Sequence, residues 1–104
     1  MNDEILAIAD RIREAISPNK IYLFGSFARG DSGQHSDYDF YVVVPNGSGN
    51  TVELCQDAYC SLLGLKRTRG ADILVVDEET FAKRKENCTI EREVSKDGVL
   101  LYDR

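Results

Sequence analysis

No apolar run in the 104 residues approaches the roughly 20 needed to cross a bilayer, so no membrane segment is expected. The opening Met1-Asn2-Asp3-Glu4 is acidic and lacks the positive region and apolar stretch of a signal peptide. Cysteine is scarce: Cys55, Cys60 and Cys88 are odd in number and show no CxxC spacing. That argues against a disulfide frame or a zinc site and points to reduced thiols in the cytoplasm. Positive charge is short as well. The formal net charge is −5 and no basic stripe stands ready to grip a phosphate backbone, so direct nucleic-acid binding is disfavoured. The basic residues gather at Lys66, Arg67 and Arg69 and at Lys83, Arg84 and Lys85. They read as solvated loop and helix faces, with steering of an acidic partner or a triphosphate as the alternative. There are no internal repeats and no low-complexity segment.

What is present fits one domain spanning 1–104. A chain this short buries roughly two-thirds of the surface its unfolded form exposes, so its core is thin and a partner chain can complete part of the surface. Ile5, Ile8, Ala9, Ile12 and Ile16 recur at helical spacing, with Asn2 or Asp3 to cap the start and Ser17-Pro18 to end the run. Ile21-Tyr22-Leu23-Phe24 reads as a strand that stops at Gly25-Ser26. Ser26 can cap a short helix through Phe27, Ala28 and Arg29, with Gly30 as its stop. Tyr38 to Val44 is a strong strand ended by Pro45. Asn50 and Glu53 form a capping-box pattern ahead of a second long helix carrying Val52, Cys55, Ala58, Tyr59, Leu62 and Leu63, with Gly64 placed to end it. Asp72 to Val76 is a third strand, and Asp77-Glu78-Glu79 puts acids at the next helix start. A short helix over Thr89 to Val94 and a terminal strand over Val99 to Tyr102 complete the order. The class expected is α/β: a small mixed sheet with helices on one face.

The chemical content sits in Gly25-Ser26, Asp37, Asp39 and Asp72. Strand side chains alternate, so Asp37 and Asp39 project to one side, while Tyr38, Phe40, Val42 and Val44 take the other and pack under helices. If the strand beginning at Asp72 is a neighbour, three carboxylates converge at one end of the sheet. Carboxylates that close repel one another and are tolerated with protons or cations between them. Magnesium suits them, because it takes hard oxygen ligands and completes its shell with water and phosphates. Two ions roughly 3.5–4 Å apart can clamp the attacking and leaving oxygens of an in-line displacement at phosphorus. Gly25 lets the backbone approach a ligand, and the helix start at Ser26 presents free amides to anions. A GS dipeptide alone is a turn, and a DxD alone is a pair of solvated acids. In this order and spacing each half supplies what the other needs.

The stretch Leu23-Phe24-Gly25-Ser26-Phe27-Ala28-Arg29-Gly30 followed by Ser36-Asp37-Tyr38-Asp39-Phe40 closely resembles the minimal nucleotidyltransferases of the DNA polymerase beta superfamily. Their pattern is GS, ten residues, then DxD, and ten residues, Phe27 to Ser36, separate Ser26 from Asp37 here. Ala71-Asp72-Ile73-Leu74-Val75 looks like the family's third-carboxylate strand, and the segments Ile90 to Val94 and Gly98 to Tyr102 resemble its usual close. Phe40 departs mildly, since an aliphatic residue is common there. The resemblance implies the polymerase-beta-like fold. It implies that Gly25 and Ser26 bind a triphosphate, that Asp37 and Asp39 bridge two magnesium ions, and that Asp72 binds the catalytic ion and helps deprotonate the attacking hydroxyl. Arg29 either contacts phosphate or pairs with a nearby acid such as Asp31.

Chains of this size resemble the antitoxin half of HEPN–MNT toxin–antitoxin pairs. That implies transfer of AMP from ATP onto a tyrosine hydroxyl of a HEPN-fold ribonuclease toxin, in a stable hetero-oligomer. A non-catalytic antitoxin of the same fold and a stand-alone enzyme acting on a small molecule are the competing readings. The latter class usually carries an added domain to hold its acceptor. His35, the single histidine, reads as a polar loop residue, and Tyr22, Tyr38, Tyr41, Tyr59 and Tyr102 read as packing residues. No histidine or basic setting accompanies Cys55 and Cys60, which disfavours a nucleophilic role.

Overall fold

The computed structural model describes residues 3–30, 33, 36–87 and 89–104. The isoleucine stripe forms α1 (Asp3–Ile16), burying Ile5, Ile8, Ala9, Ile12 and Ile16 on one side. Then come β1 (Lys20–Phe24), α2 (Ser26–Arg29), β2 (Tyr38–Val44) and α3 (Thr51–Cys60). β3 (Ala71–Asp77), α4 (Glu78–Arg84), α5 (Thr89–Asp97) and β4 (Val99–Asp103) follow. The four strands lie in the order β3-β2-β1-β4. β1 pairs antiparallel with β2 and with β4, whereas β2 and β3 are parallel. A parallel pair needs a crossover, and α3 supplies it. No helix among the described residues is long and apolar enough to cross a membrane.

The expected α/β class, with a mixed sheet, is what forms. The placement of its helices on one face needs correction. Tyr38, Phe40, Val42 and Val44 do pack with α1, Ala58 and Leu62 in the main core. Tyr41 and Val43 point the other way and are buried too, under Val94 of α5 with Phe81 of α4 alongside. The aspartates at the start of β2 made that face look polar. Its later positions are apolar and need cover, which two charge-rich helices provide through single apolar residues. β2 is thus buried on both sides and reads as a near-continuous apolar run. Phe40 is fully buried and fills the place of an aliphatic residue.

Two helix ends also differ from expectation. Ser26 does not cap α2; it is the helix's first residue, and Gly25 stands at the cap position without a side-chain bond. α3 ends at Cys60, before Gly64, because Leu62 and Leu63 bond back only three residues in a tightened turn. Asn50 does cap α3, its side chain accepting the amides of Val52 and Glu53. The alternative cap at Asn2 lies outside the described residues, as does Cys88.

β3 is an edge strand, and α3 guards it. The Ile73 amide donates to the Tyr59 hydroxyl at 2.8 Å, and the Cys55 thiol donates to the Ile73 carbonyl at 3.3 Å. Tyr59 is therefore a half-exposed edge cap, not a core residue. Burial pushes the Cys55 thiol up from its ordinary range, which keeps it protonated as a donor.

One charged side chain is buried among the described residues. Glu91 of α5 is 1% exposed and accepts the Tyr41 hydroxyl at 2.7 Å. Its other oxygen faces Arg84 Nε at 3.4 Å. These contacts lock α5 to α4 and to β2. Tyr41→Phe removes the hydroxyl and leaves a buried carboxylate oxygen without that donor, which costs about 1–3 kcal/mol. Urea unfolding should show a lower midpoint with an unchanged slope; an unchanged midpoint would mean that this bond contributes nothing.

Candidate active site

Asp39 and Asp72 are register partners across the parallel β2–β3 pair. Partners in a parallel ladder point to the same face, so the two carboxylates stand side by side at the starts of their strands. Asp37 lies two residues before Asp39, just ahead of β2, and shares its side. Asp37 and Asp72 are exposed and Asp39 is half-buried. The conditional expectation about neighbouring strands therefore holds, and the three acids share one end of the sheet.

Two glycines make room for them. Gly25 has φ 75 and ψ −153, a region that only glycine enters readily. A Cβ there would lie 2.4 Å from Asp39 Oδ2. Gly70 precedes β3, and a Cβ there would lie 2.9 Å from Asp37 Oδ1. The Gly25-Ser26 turn is thus packed directly on one of the acids. The leading amides of α2 lack intrahelical acceptors, as in any first turn.

Asp39 is held above the ordinary carboxylate range. Burial is the main cause, followed by the charges of Asp72, Asp37 and Glu93, with Arg29 pulling the other way. Glu93 is an acid that sequence reasoning missed. It reaches Asp39 because α5 covers the face of β2 that carries Tyr41, and no local motif announces that packing. Arg29 forms an ion pair with Glu93. The suggested alternative partner, Asp31, lies outside the described residues, as does His35.

Among the described residues no three acids, histidines or cysteines are drawn into a ready metal shell. The chemistry of the donor set nonetheless fits a hard divalent cation: three aspartates share one face, and their repulsion is already felt at Asp39.

The basic residues expected to be solvated divide. Lys66 and Arg67 are exposed, and Lys83 makes a surface pair with Glu79 at 3.0 Å. Arg84 stays exposed while its Nε faces the buried Glu91. Arg69 is half-buried and donates to backbone carbonyls of the segment before Asp37.

Residues 7–104 match the family model described as polymerase beta, nucleotidyltransferase. The chain is 37% identical over 83 residues to a Methanocaldococcus jannaschii protein named as a candidate protein adenylyltransferase, covering 80% of this chain and 77% of that one. Among solved structures, a candidate nucleotidyltransferase from Sulfolobus solfataricus superposes with a TM-score of 0.62 at 27% identity, covering 97% of this chain and 82% of that one. A substituted form of the MntA–HpeT toxin–antitoxin gives a TM-score of 0.56 at 26% identity, covering 100% and 74%.

Two outcomes test this geometry. Because the pKa of folded Asp39 is raised, its contribution to stability is present in acid and is lost as pH rises through that value. Asp39→Asn should therefore raise the melting temperature in metal-free buffer at pH 7, and the gain should fade towards pH 4. A gain independent of pH would contradict the electrostatic account. Gly25→Ala forces a side chain into a glycine-only conformation, which costs on the order of 1–3 kcal/mol. Thermal melts should register that loss, and a neutral substitution would show the turn to be more relaxed than described.

Proposed function

The chain belongs to the polymerase beta nucleotidyltransferase family, and on that premise we propose that it is a cytoplasmic antitoxin that transfers AMP from ATP to a tyrosine hydroxyl of a HEPN-fold ribonuclease toxin. The observation that carries the reading is the register pairing of Asp39 with Asp72, with Asp37 and the Gly25-Ser26 turn beside them. The protein adenylyltransferase name of the M. jannaschii relative supports a protein acceptor. The toxin–antitoxin nature of MntA–HpeT supports a toxin as that acceptor. The HEPN identity rests on the resemblance of chains of this size to the antitoxin half of HEPN–MNT pairs.

Asp37, Asp39 and Asp72 would hold two magnesium ions. Bound there, the ions supply positive charge at the attacked phosphorus and the leaving oxygens. The protein's own groups do the rest. Gly25 lets the backbone come against the triphosphate, and the first amides of α2 donate to its oxygens. Arg29, paired with Glu93, is the last residue of α2 and would contact phosphate beside that turn. Asp72 accepts the proton of the tyrosine hydroxyl. The phenolic oxygen then bonds to the α-phosphorus as the bond to the leaving pyrophosphate breaks. Fixed in register on paired strands, Asp39 and Asp72 would orient the acceptor and donor oxygens, which is where proximity contributes most.

Intact-mass measurement of the candidate toxin tests the reading, after incubation with this protein, magnesium and each nucleoside triphosphate in turn. The expected result is a gain of one or more adenylyl units with ATP, abolished by Asp37→Asn with Asp39→Asn. No gain with any nucleotide, while the two proteins still co-purify, would favour a steric antitoxin instead.

A further inference from the structure

The segment Thr68-Arg69-Gly70 leads into β3 and supplies no carboxylate, yet it touches each part of the site. Arg69 Nη1 donates to the carbonyl of Ser36 at 2.9 Å and to that of Gly33 at 3.1 Å. Ser36 is the residue directly before Asp37. The same guanidinium lies over the Phe27 ring, 5.0 Å from its centroid. Phe27 follows Ser26 in α2 and packs on Tyr38 at 4.7 Å between centroids. Tyr38 sits between Asp37 and Asp39. Its amide donates to the Gly70 carbonyl at 3.0 Å, and its hydroxyl donates to Glu4 at 2.8 Å. Glu4 also accepts the Thr68 amide at 2.9 Å.

We propose that Arg69 is a positioning residue that holds the Gly25-Ser26 turn, the lead-in to Asp37 and the strand bearing Asp72 in one fixed arrangement. The proposal rests on the reading of the three aspartates as the metal-binding acids. Three separate segments meet at this one side chain: α2 through Phe27, the chain before β2 through two carbonyls, and β3 through Arg69's own backbone neighbour Gly70. The sequence between α2 and β2 is rich in glycine and serine. Ordering such a backbone is entropically costly, and a cation that binds two of its carbonyls offsets that cost. Arginine suits the task and lysine does not. A guanidinium is planar, so it can stack on a ring while its in-plane donors reach two acceptors; an ammonium is a point charge. A residue of a solvated loop face would not bridge two carbonyls and an aromatic ring at once.

The test is hydrogen exchange read by mass spectrometry on the full chain, free of metal and nucleotide, with manganese binding followed by electron paramagnetic resonance. In Arg69→Gln, amides of the peptide spanning residues 33–39 should exchange about tenfold faster, the loss expected for one charge-assisted hydrogen bond. Peptides from α1 and β1 should be unchanged, and manganese affinity should fall severalfold. Arg69→Lys should lie between the wild-type chain and Arg69→Gln, and it carries the same comparison if Arg69→Gln does not fold. Exchange that is unchanged in residues 33–39, or accelerated equally everywhere, overturns the proposal. Manganese bound equally by the wild-type chain and Arg69→Gln overturns the role of Arg69. Manganese not bound by the wild-type chain overturns the underlying reading of the acids.

Discussion

The parallel pairing of β2 with β3, in the register that sets Asp39 against Asp72, is the constraint on which the rest of the structure depends. A slip of one residue would turn Asp72 to the opposite face and bring Ile73 to the acids. Several features hold the register. β2 is buried on both faces, so its alternation cannot be inverted without exposing one core or the other. α3 crosses over between the two strands and is tied to Ile73 through Tyr59 and Cys55. The Tyr38 amide closes the start of the pairing on Gly70.

The same register concentrates negative charge, and the fold tolerates that at some cost. Asp39 is half-buried beside like charges, with Glu93 added from α5. Such local conflict between stability and chemistry is expected at functional sites. Cations flank the acids on two sides. Arg29 is paired with Glu93 on the α5 side. Arg69 is turned to the carbonyls ahead of Asp37. Glycine at positions 25 and 70 is what lets two backbones close on the carboxylates.

Much of this was legible in the sequence because the signals are local. The isoleucine stripe of α1, the cap at Asn50, the β-rich run of β2 and the spacing from Gly25-Ser26 to Asp37 each need only a few neighbouring residues. The convergence of Asp72 on Asp39 required one assumption, that the strands adjoin, and they do. What escaped reading depends on long-range packing. That α4 and α5 cover the second face follows from Phe81 and Val94, the residues of these charge-rich helices that reach the second cluster. Glu93 becomes part of the acid group, and Glu91 becomes buried, only through that docking. Arg69 looked like one of three basic loop residues, because nothing in Lys66-Arg67-Thr68-Arg69 says which side chain turns inward.

The central claim is that Asp37, Asp39 and Asp72 form one divalent-metal site beside the Gly25-Ser26 turn. The most direct measurement is anomalous diffraction from crystals soaked with manganese and a non-hydrolysable ATP analogue. The account predicts manganese density among these three carboxylates, with the triphosphate running to the first turn of α2. Manganese bound elsewhere, or a triphosphate seated away from Gly25 and Ser26, would contradict it.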